Sequence, residues 1–192
     1  MVDKVQIDRD FRLFFRVQGR YTIDDAGVID VDGDLDARDS FPGPHLPVQL
    51  GIVKGYCDLE EQEHLIDLQG APHTVNGEFY VLADKLRSLK GAPKQVSSKC
   101  VIRSNQLQSL EHLPLTANPL RINISYNLPL LRLTERSYHI VWGYPTSVGG
   151  ASNPKLKSAV QIITKYAGTG KAGALKAAAE LIRADCKENA RW

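Results

Sequence analysis

The chain has 192 residues, 43% hydrophobic and 24% charged, with a net charge of +2 and three cysteines. These values predict one globular domain, or one domain with an appendage, and enough apolar material for a core. The odd, sparse set of cysteines is a poor disulfide framework. There is no run of 18 apolar residues, and the opening MVDKVQIDRDFRLFF lacks the apolar stretch of a secretory signal, so a cytosolic life with reduced thiols is expected.

The small net charge hides a polarity. Residues 1–69 hold 15 acidic and 7 basic side chains, net −8, and residues 70–192 hold 7 and 17, net +10. An elongated fold that kept this order would be electrostatically polarised.

In chain order, the first 27 residues are expected to cap the central repeats. DFRLFFRV, carrying Phe11, Leu13, Phe14, Phe15 and Val17, suits an amphipathic cap better than an initial strand. VIDVDGDLDA then alternates apolar and acidic residues. Asp30, Asp32, Asp34 and Asp36 have the 1-3-5-7 spacing of a calcium loop, but the glycine falls at the fourth position and no glutamate closes the loop at the twelfth. The alternation reads as a strand with its aspartates outside, and the four form a candidate acidic binding edge. Residues 37–47, with three prolines and a glycine, read as loop.

The centre of the chain repeats. GAPHTVNGEFYVLADKLRSLK begins at Gly70 and GAPKQVSSKCVIRSNQLQSLE at Gly91, an offset of 21. Val75 falls on Val96, Phe79 on Cys100, Val81 on Ile102, Leu86 on Leu107 and Leu89 on Leu110. Leu65, Leu68, Pro114, Leu128 and Leu131 extend the register. Upstream, IVKGYCDL matches TVNGEFYV after a slip of one residue, and Gly33 with Leu35 forms a weaker half-unit.

Alternating Val75, Gly77, Phe79 and Val81 predict a strand with one buried face. Leu86 and Leu89 predict a turn of helix or an irregular second layer, and Gly-Ala-Pro returns the chain. One such unit cannot bury its own apolar face, so the units must stack. Cys57 and Cys100 take the Phe79 position and are read as core fillers.

After Leu133 the repeat fades. SYHIVWGYP reads as a last strand and TSVGGASNP as a linker. From Pro154 the period changes to helical, with Leu156, Ala159, Val160, Ile163 and Tyr166. Gly168 and Gly170 stop this helix, and a second runs from about Ala172 to Cys186 with Leu175, Ala178, Leu181 and Ile182 on one face. The expected fold is α+β: a leucine-rich-like solenoid of about 21-residue units over residues 28–145, a cap over 1–27, and a C-terminal helical hairpin over 146–192.

No catalytic motif is complete, and no cofactor or metal is expected. AGTGKAG fails the phosphate-loop pattern: position 165 is Lys165 where a glycine is needed, and Ala172 follows Lys171 where a hydroxyl is needed. It reads as a helix–helix turn. His45, His64, His73, His112 and His139 have no partner at recognisable spacing. A basic stretch, Lys85, Arg87, Lys90, Lys94, Lys99 and Arg103, contains no acid after Lys85 and is a candidate phosphate-tracking face if stacking aligns it.

GAP…V.G.F……L.SL.GAP, with KYAGTGKAGALKAAAELIRA at the end, resembles a group of mostly uncharacterised bacteriophage early or accessory proteins with short leucine-rich-like repeats. The resemblance covers residues 28–133 and, separately, the tail. It implies a phage origin and the cytoplasm of an infected bacterium, and it carries no activity. The expected function is a module that binds a host bacterial protein and modulates or inhibits it. A nucleic-acid-associated factor using the basic stretch is the alternative, and an enzyme with a spatially assembled site is a third reading. No membrane partner is expected, and open array ends leave room for a homodimer.

Overall fold

The computed structural model describes residues 2–37, 40–104, 106–114, 116–117, 120–123, 131 and 154–191. The expected strand SYHIVWGYP, the linker after it, Asn105 and Leu128 lie outside these residues.

Stacking is visible in the sheet. A helix α1 (Lys4–Phe14) leads directly into β1 (Phe15–Ile23), which turns back into β2 (Val28–Ala37). Each later coil contributes two short strands with a bend between them: β3 (Gln49–Val53) and β4 (Cys57–Leu59), β5 (Thr74–Val75) and β6 (Phe79–Leu82), β7 (Gln95–Val96) and β8 (Cys100–Arg103). Among the described residues one further strand, β9 (Leu120–Asn123), follows β8. The start of β2 pairs in parallel with β3, its end pairs with β4, and two ladders grow from there, β3-β5-β7 and β4-β6-β8-β9. The protein is a β-solenoid with coils of about 21 residues.

The register explains the repeat. Leu35, Cys57, Phe79, Cys100 and Leu120 form one interior column, and Val53, Val75 and Val96 form another. All are buried. Each such side chain stabilises the stack by roughly 1.5–3 kcal/mol relative to exposure. Opposite the sheet, Leu65, Leu68, Leu86, Leu89, Leu107 and Leu110 close the core from segments with no regular helix. The irregular second layer, rather than the turn of helix, is what the leucine spacing encodes.

Two glycine positions are required by the stacking. Gly70 and Gly91 stand at the Gly-Ala-Pro turns with φ of +94° and +88°, and a Cβ on Gly91 would lie 2.3 Å from the Leu68 carbonyl oxygen one coil below. At the mid-strand bends Gly33, Gly55 and Gly77 lie against one another. Gly55 N–H donates to the Gly33 carbonyl at 2.8 Å and Gly77 N–H to that of Gly55 at 2.9 Å.

The one-residue slip has a location. From Val53 to Leu59 the next coil lies 22 residues on, whereas from Leu65 to Leu86 and Leu68 to Leu89 it lies 21 on. The extra residue falls in the Glu60–Glu61 turn, where Glu61 adopts φ +59°.

Both ends of the sheet are treated differently. At the N-terminal end DFRLFFRV divides: it is helix through Phe14 and strand from Phe15, so the cap is a helix and an edge strand together. Asp3 caps α1 by accepting from Val5 and Gln6 N–H at 3.1 and 3.0 Å. Phe11, Phe15 and Phe41 close the core beneath, with ring centroids 5.2 Å apart in successive pairs.

At the far end of the β3-β5-β7 ladder a hydroxyl stands in for a strand. Thr116 Oγ1 accepts from Val96 N–H at 2.8 Å and donates to the Val96 carbonyl at 3.2 Å. Thr116→Val is expected to cost about 1 kcal/mol. It should also speed hydrogen exchange at the Val96 amide while leaving Val75 protected, which exchange measured by NMR would show.

Cys57 and Cys100 have no exposed surface, and burial pushes both thiols well above the usual range. Burial also raises Cys186, whose Sγ lies 3.4 Å from the Lys155 carbonyl oxygen. A water-soluble maleimide is therefore expected to add nothing to the native protein and three mass increments after unfolding. Labelling of native Cys57 or Cys100 would contradict the stacked core.

The C-terminal hairpin is α2 (Pro154–Tyr166) and α3 (Gly170–Arg183), followed by a 3-10 turn at Lys187–Asn189. Glu180 of α3 joins it to α2, accepting from Lys165 Nζ at 2.9 Å and Tyr166 OH at 2.8 Å. The expected face of α3 is corrected. The helix begins at Gly170 rather than near Ala172 and buries Gly173, Ala174, Ala177 and Leu181. Leu175 and Ile182 are exposed. The buried face of α3 is made mostly of small residues, and the two larger side chains point outward. Gly168, with φ +73°, lies in the turn just after α2, whereas Gly170 opens α3 instead of stopping a helix.

Candidate functional site

Strand alternation sends every second side chain away from the core. The outward face of the sheet therefore collects residues from all coils at fixed register. One row runs Asp36, Asp58, Tyr80, Val101, Arg121. Beside it Leu82 aligns with Arg103. Tyr56 and Asp34 lie at the next position, with Glu78 and Lys99 one and two coils further on. Among the described residues the face is acidic on its first coils and basic around β8 and β9, with two tyrosines between.

Both rings are held by polar contacts. Tyr56 OH donates to Asp36 Oδ2 at 3.1 Å and accepts from Gln18 Nε2 at 3.3 Å. Burial, with the Asp36 carboxylate beside it, pushes the Tyr56 hydroxyl up to about 12. Tyr80 OH donates to Glu78 and accepts from Lys99 Nζ at 2.7 Å, and the Lys99 ammonium lies 4.6 Å from the Tyr80 ring centroid. Burial and the Glu78 hydrogen bond raise the Tyr80 hydroxyl.

The four aspartates named from the sequence are on one strand, and the structure divides them by role. Asp30 accepts from Ile52 N–H at 2.7 Å, where the β2–β3 register shifts, and Asp34 accepts from Tyr56 N–H at 3.0 Å at the bend. These two satisfy backbone amides of the following coil. Asp32 pairs with Lys54 at 3.1 Å, and Asp36 holds Tyr56. Across the hairpin Arg16 faces Asp36 and Arg20 faces Asp32.

The basic stretch is dispersed, because its nineteen residues nearly complete one coil. Lys99 and Arg103 lie on the outward sheet face. Lys90 and Lys94 flank the Gly91 turn, and Lys85 and Arg87 project from the leucine segment opposite the sheet, where Arg87 Nε donates to Gln106 Oε1 at 3.3 Å. The six do not form one face.

Two groupings carry no motif in the sequence. His45 Nδ1 lies 2.6 Å from Asp67 Oδ1, with the two residues 22 apart, which is one coil. Burial pushes the Asp67 carboxyl up, but the Gln69 backbone and side-chain N–H groups and the His45 imidazole outweigh it and hold it below the usual range. The second is an acidic cleft of about 300 Å³ lined by Asp36, Asp58 and the Glu60–Glu63 turn. Burial raises both Asp58 and Glu60. The coil offset is the signal that would have found the His45–Asp67 pair.

No group of three or more metal-ligating side chains is arranged to hold an ion among the described residues, and none of their helices is long and apolar enough to cross a membrane. Fold and surface together define a short leucine-bearing β-solenoid with a polarised sheet face. No protein-family model matches the chain, and no curated protein or solved structure matches it.

Proposed function

We propose that this solenoid is a protein-binding module, and that the outward sheet face is its recognition surface. The observation that carries the reading is the arrangement of that face. Two tyrosines, each oriented by hydrogen bonds, sit between an acidic and a basic flank on a stacked, regular backbone. Tyrosine and arginine are the side chains that most often anchor protein interfaces, and a pre-ordered ring loses little entropy on docking. A charge gradient across such a face favours a partner with the opposite gradient and accelerates encounter.

The resemblance to phage early and accessory proteins makes a host bacterial protein the proposed partner, bound in the host cytoplasm and modulated or inhibited there. The test is affinity capture from bacterial lysate with and without nuclease, comparing wild type with a Tyr80→Ala, Arg103→Glu variant. One stoichiometric protein held by the wild type and lost by the variant supports the reading. A partner set that disappears with nuclease, or one indifferent to the variant, overturns it.

Steering gives a kinetic check. Asp30 and Asp34 hold backbone amides, so charge removal belongs at Asp32 and Asp36. Asp32→Asn with Asp36→Asn is expected to slow association with the captured partner about threefold at low salt, with less effect at high salt.

A further inference from the structure

The Gly-Ala-Pro turns build a second concavity, away from the outward sheet face. It is an open groove of about 620 Å³, and its walls include His73, Lys90, Lys94 and His112, with Gln49 and Gln69 beside them. The repeat puts them there. Lys90 stands one coil beyond Gln69 and Lys94 one coil beyond His73, each at an offset of 21, so equivalent turn positions line one groove. None of the described residues that line it is acidic.

The nearby carboxylates Asp67 and Glu111 lie outside the lining. Asp67 is engaged by Gln69 and His45. Glu111 lies 3.9 Å from His112 Nε2 but is itself outside the lining, well exposed. Two ammonium groups and two imidazoles thus face one concavity with no acid among its described walls. The mutual repulsion of the two ammonium groups falls when an anion enters.

The walls are also ordered before any ligand arrives. Lys94 N–H donates to the His73 carbonyl at 2.9 Å, His73 N–H to Gly51 at 2.9 Å and Leu50 N–H to Gly70 at 2.8 Å, so adjacent coils fix the backbone that carries the cations. Gly91 leaves the groove without a side chain between Lys90 and the proline turn. A volume of this size exceeds a lone phosphate and falls in the range of small-molecule sites.

We propose that the groove over the Gly-Ala-Pro turns binds a phosphate-bearing ligand, gripped by Lys90 and Lys94 with His73 and His112 donating from either side. The site is separate from the sheet face, so it stands or falls independently of the protein-binding reading. Lysine N–H groups supply charge-assisted donors to phosphate oxygens, and the imidazole N–H groups add further donors. A free phosphorylated small molecule and a nucleic-acid backbone share this chemistry.

The test titrates the full chain with inorganic pyrophosphate by calorimetry, with His73 and His112 imidazole resonances followed in parallel. Saturable binding that moves both resonances is expected. Lys90→Glu with Lys94→Glu should weaken it by about tenfold or more, and Lys85→Glu with Arg87→Glu, the same charge change outside the groove, by less than about twofold. Thermal melts of both variants verify folding. A short single-stranded oligonucleotide forms the second arm. If it competes with pyrophosphate, the backbone of a nucleic acid is the source of the phosphate. If it does not, a small phosphorylated molecule is. Absence of saturable binding to either probe, or equal weakening by the two charge-reversal pairs, overturns the proposal.

Discussion

Gly77→Ala is expected to lower the unfolding free energy by about 3 kcal/mol, at the upper end of the usual cost of overpacking. The new Cβ would lie 2.6 Å from the carbonyl carbon and oxygen of Gly55 and 2.8 Å from Tyr56 N. These are backbone atoms, so no rotamer change relieves the clash. Relief requires the coils to part, and that breaks the Gly77 N–H to Gly55 carbonyl bond as well. Gly43→Ala is the control, since a Cβ there meets nothing within 4 Å and its φ is not positive. That change should be neutral or stabilise by about 0.5 kcal/mol through the unfolded chain. Urea titrations of the three proteins check the pair. Equal midpoints for Gly77→Ala and wild type would mean that the coils are not stacked in this register.

The second large effect is expected at Phe79. Its column alternates in size along the solenoid axis: Leu35, Cys57, Phe79, Cys100, Leu120. The small cysteines above and below make room for the ring, which is fully buried. Phe79→Ala empties the centre of the stack, where three small side chains in succession cannot collapse onto one another. The expected cost is about 3–5 kcal/mol. Out of a typical stability of roughly 5–15 kcal/mol, this removes a large share. Cys100→Phe fails for the opposite reason, placing two rings in successive coils at an expected cost of about 1–3 kcal/mol. Denaturant unfolding with unchanged m-values would read both. A Phe79→Ala midpoint near wild type would show that this column is not the core.

Stacking also explains why the two proposed surfaces differ in kind. The sheet face is built from alternate residues of strands and gathers side chains from every coil, which suits a broad partner. The groove is built from equivalent turn residues of neighbouring coils and gathers only a few, at short spacing. Lys85 and Arg87 belong to neither, although they lie close in sequence to Lys90. Position around the coil, rather than proximity along the chain, decides which charges act together.

The coil is legible in the chain's own periodicity. A 21-residue recurrence of Val, Phe or Cys, and Leu marks which residues face inward, because only stacked copies of such a unit bury their apolar faces. Period-two alternation likewise marks the outward aspartates of β2, and the change of period at Pro154 marks the helical hairpin. Other features arise only in the folded molecule. That Phe14 ends a helix and Phe15 begins a strand depends on β2 being present to pair with β1. That Asp30 and Asp34 satisfy the Ile52 and Tyr56 amides depends on how the coils are offset. His45 meets Asp67, and His73 joins Lys90, Lys94 and His112, only because the coil closes after 21 or 22 residues and puts them side by side. Leu175 and Ile182 face outward while Ala174, Ala177 and Leu181 are the residues α3 buries. Periodicity reports which side of its own element a residue occupies. Contacts between elements depend on where neighbouring backbones lie, and that information is set by packing across coils.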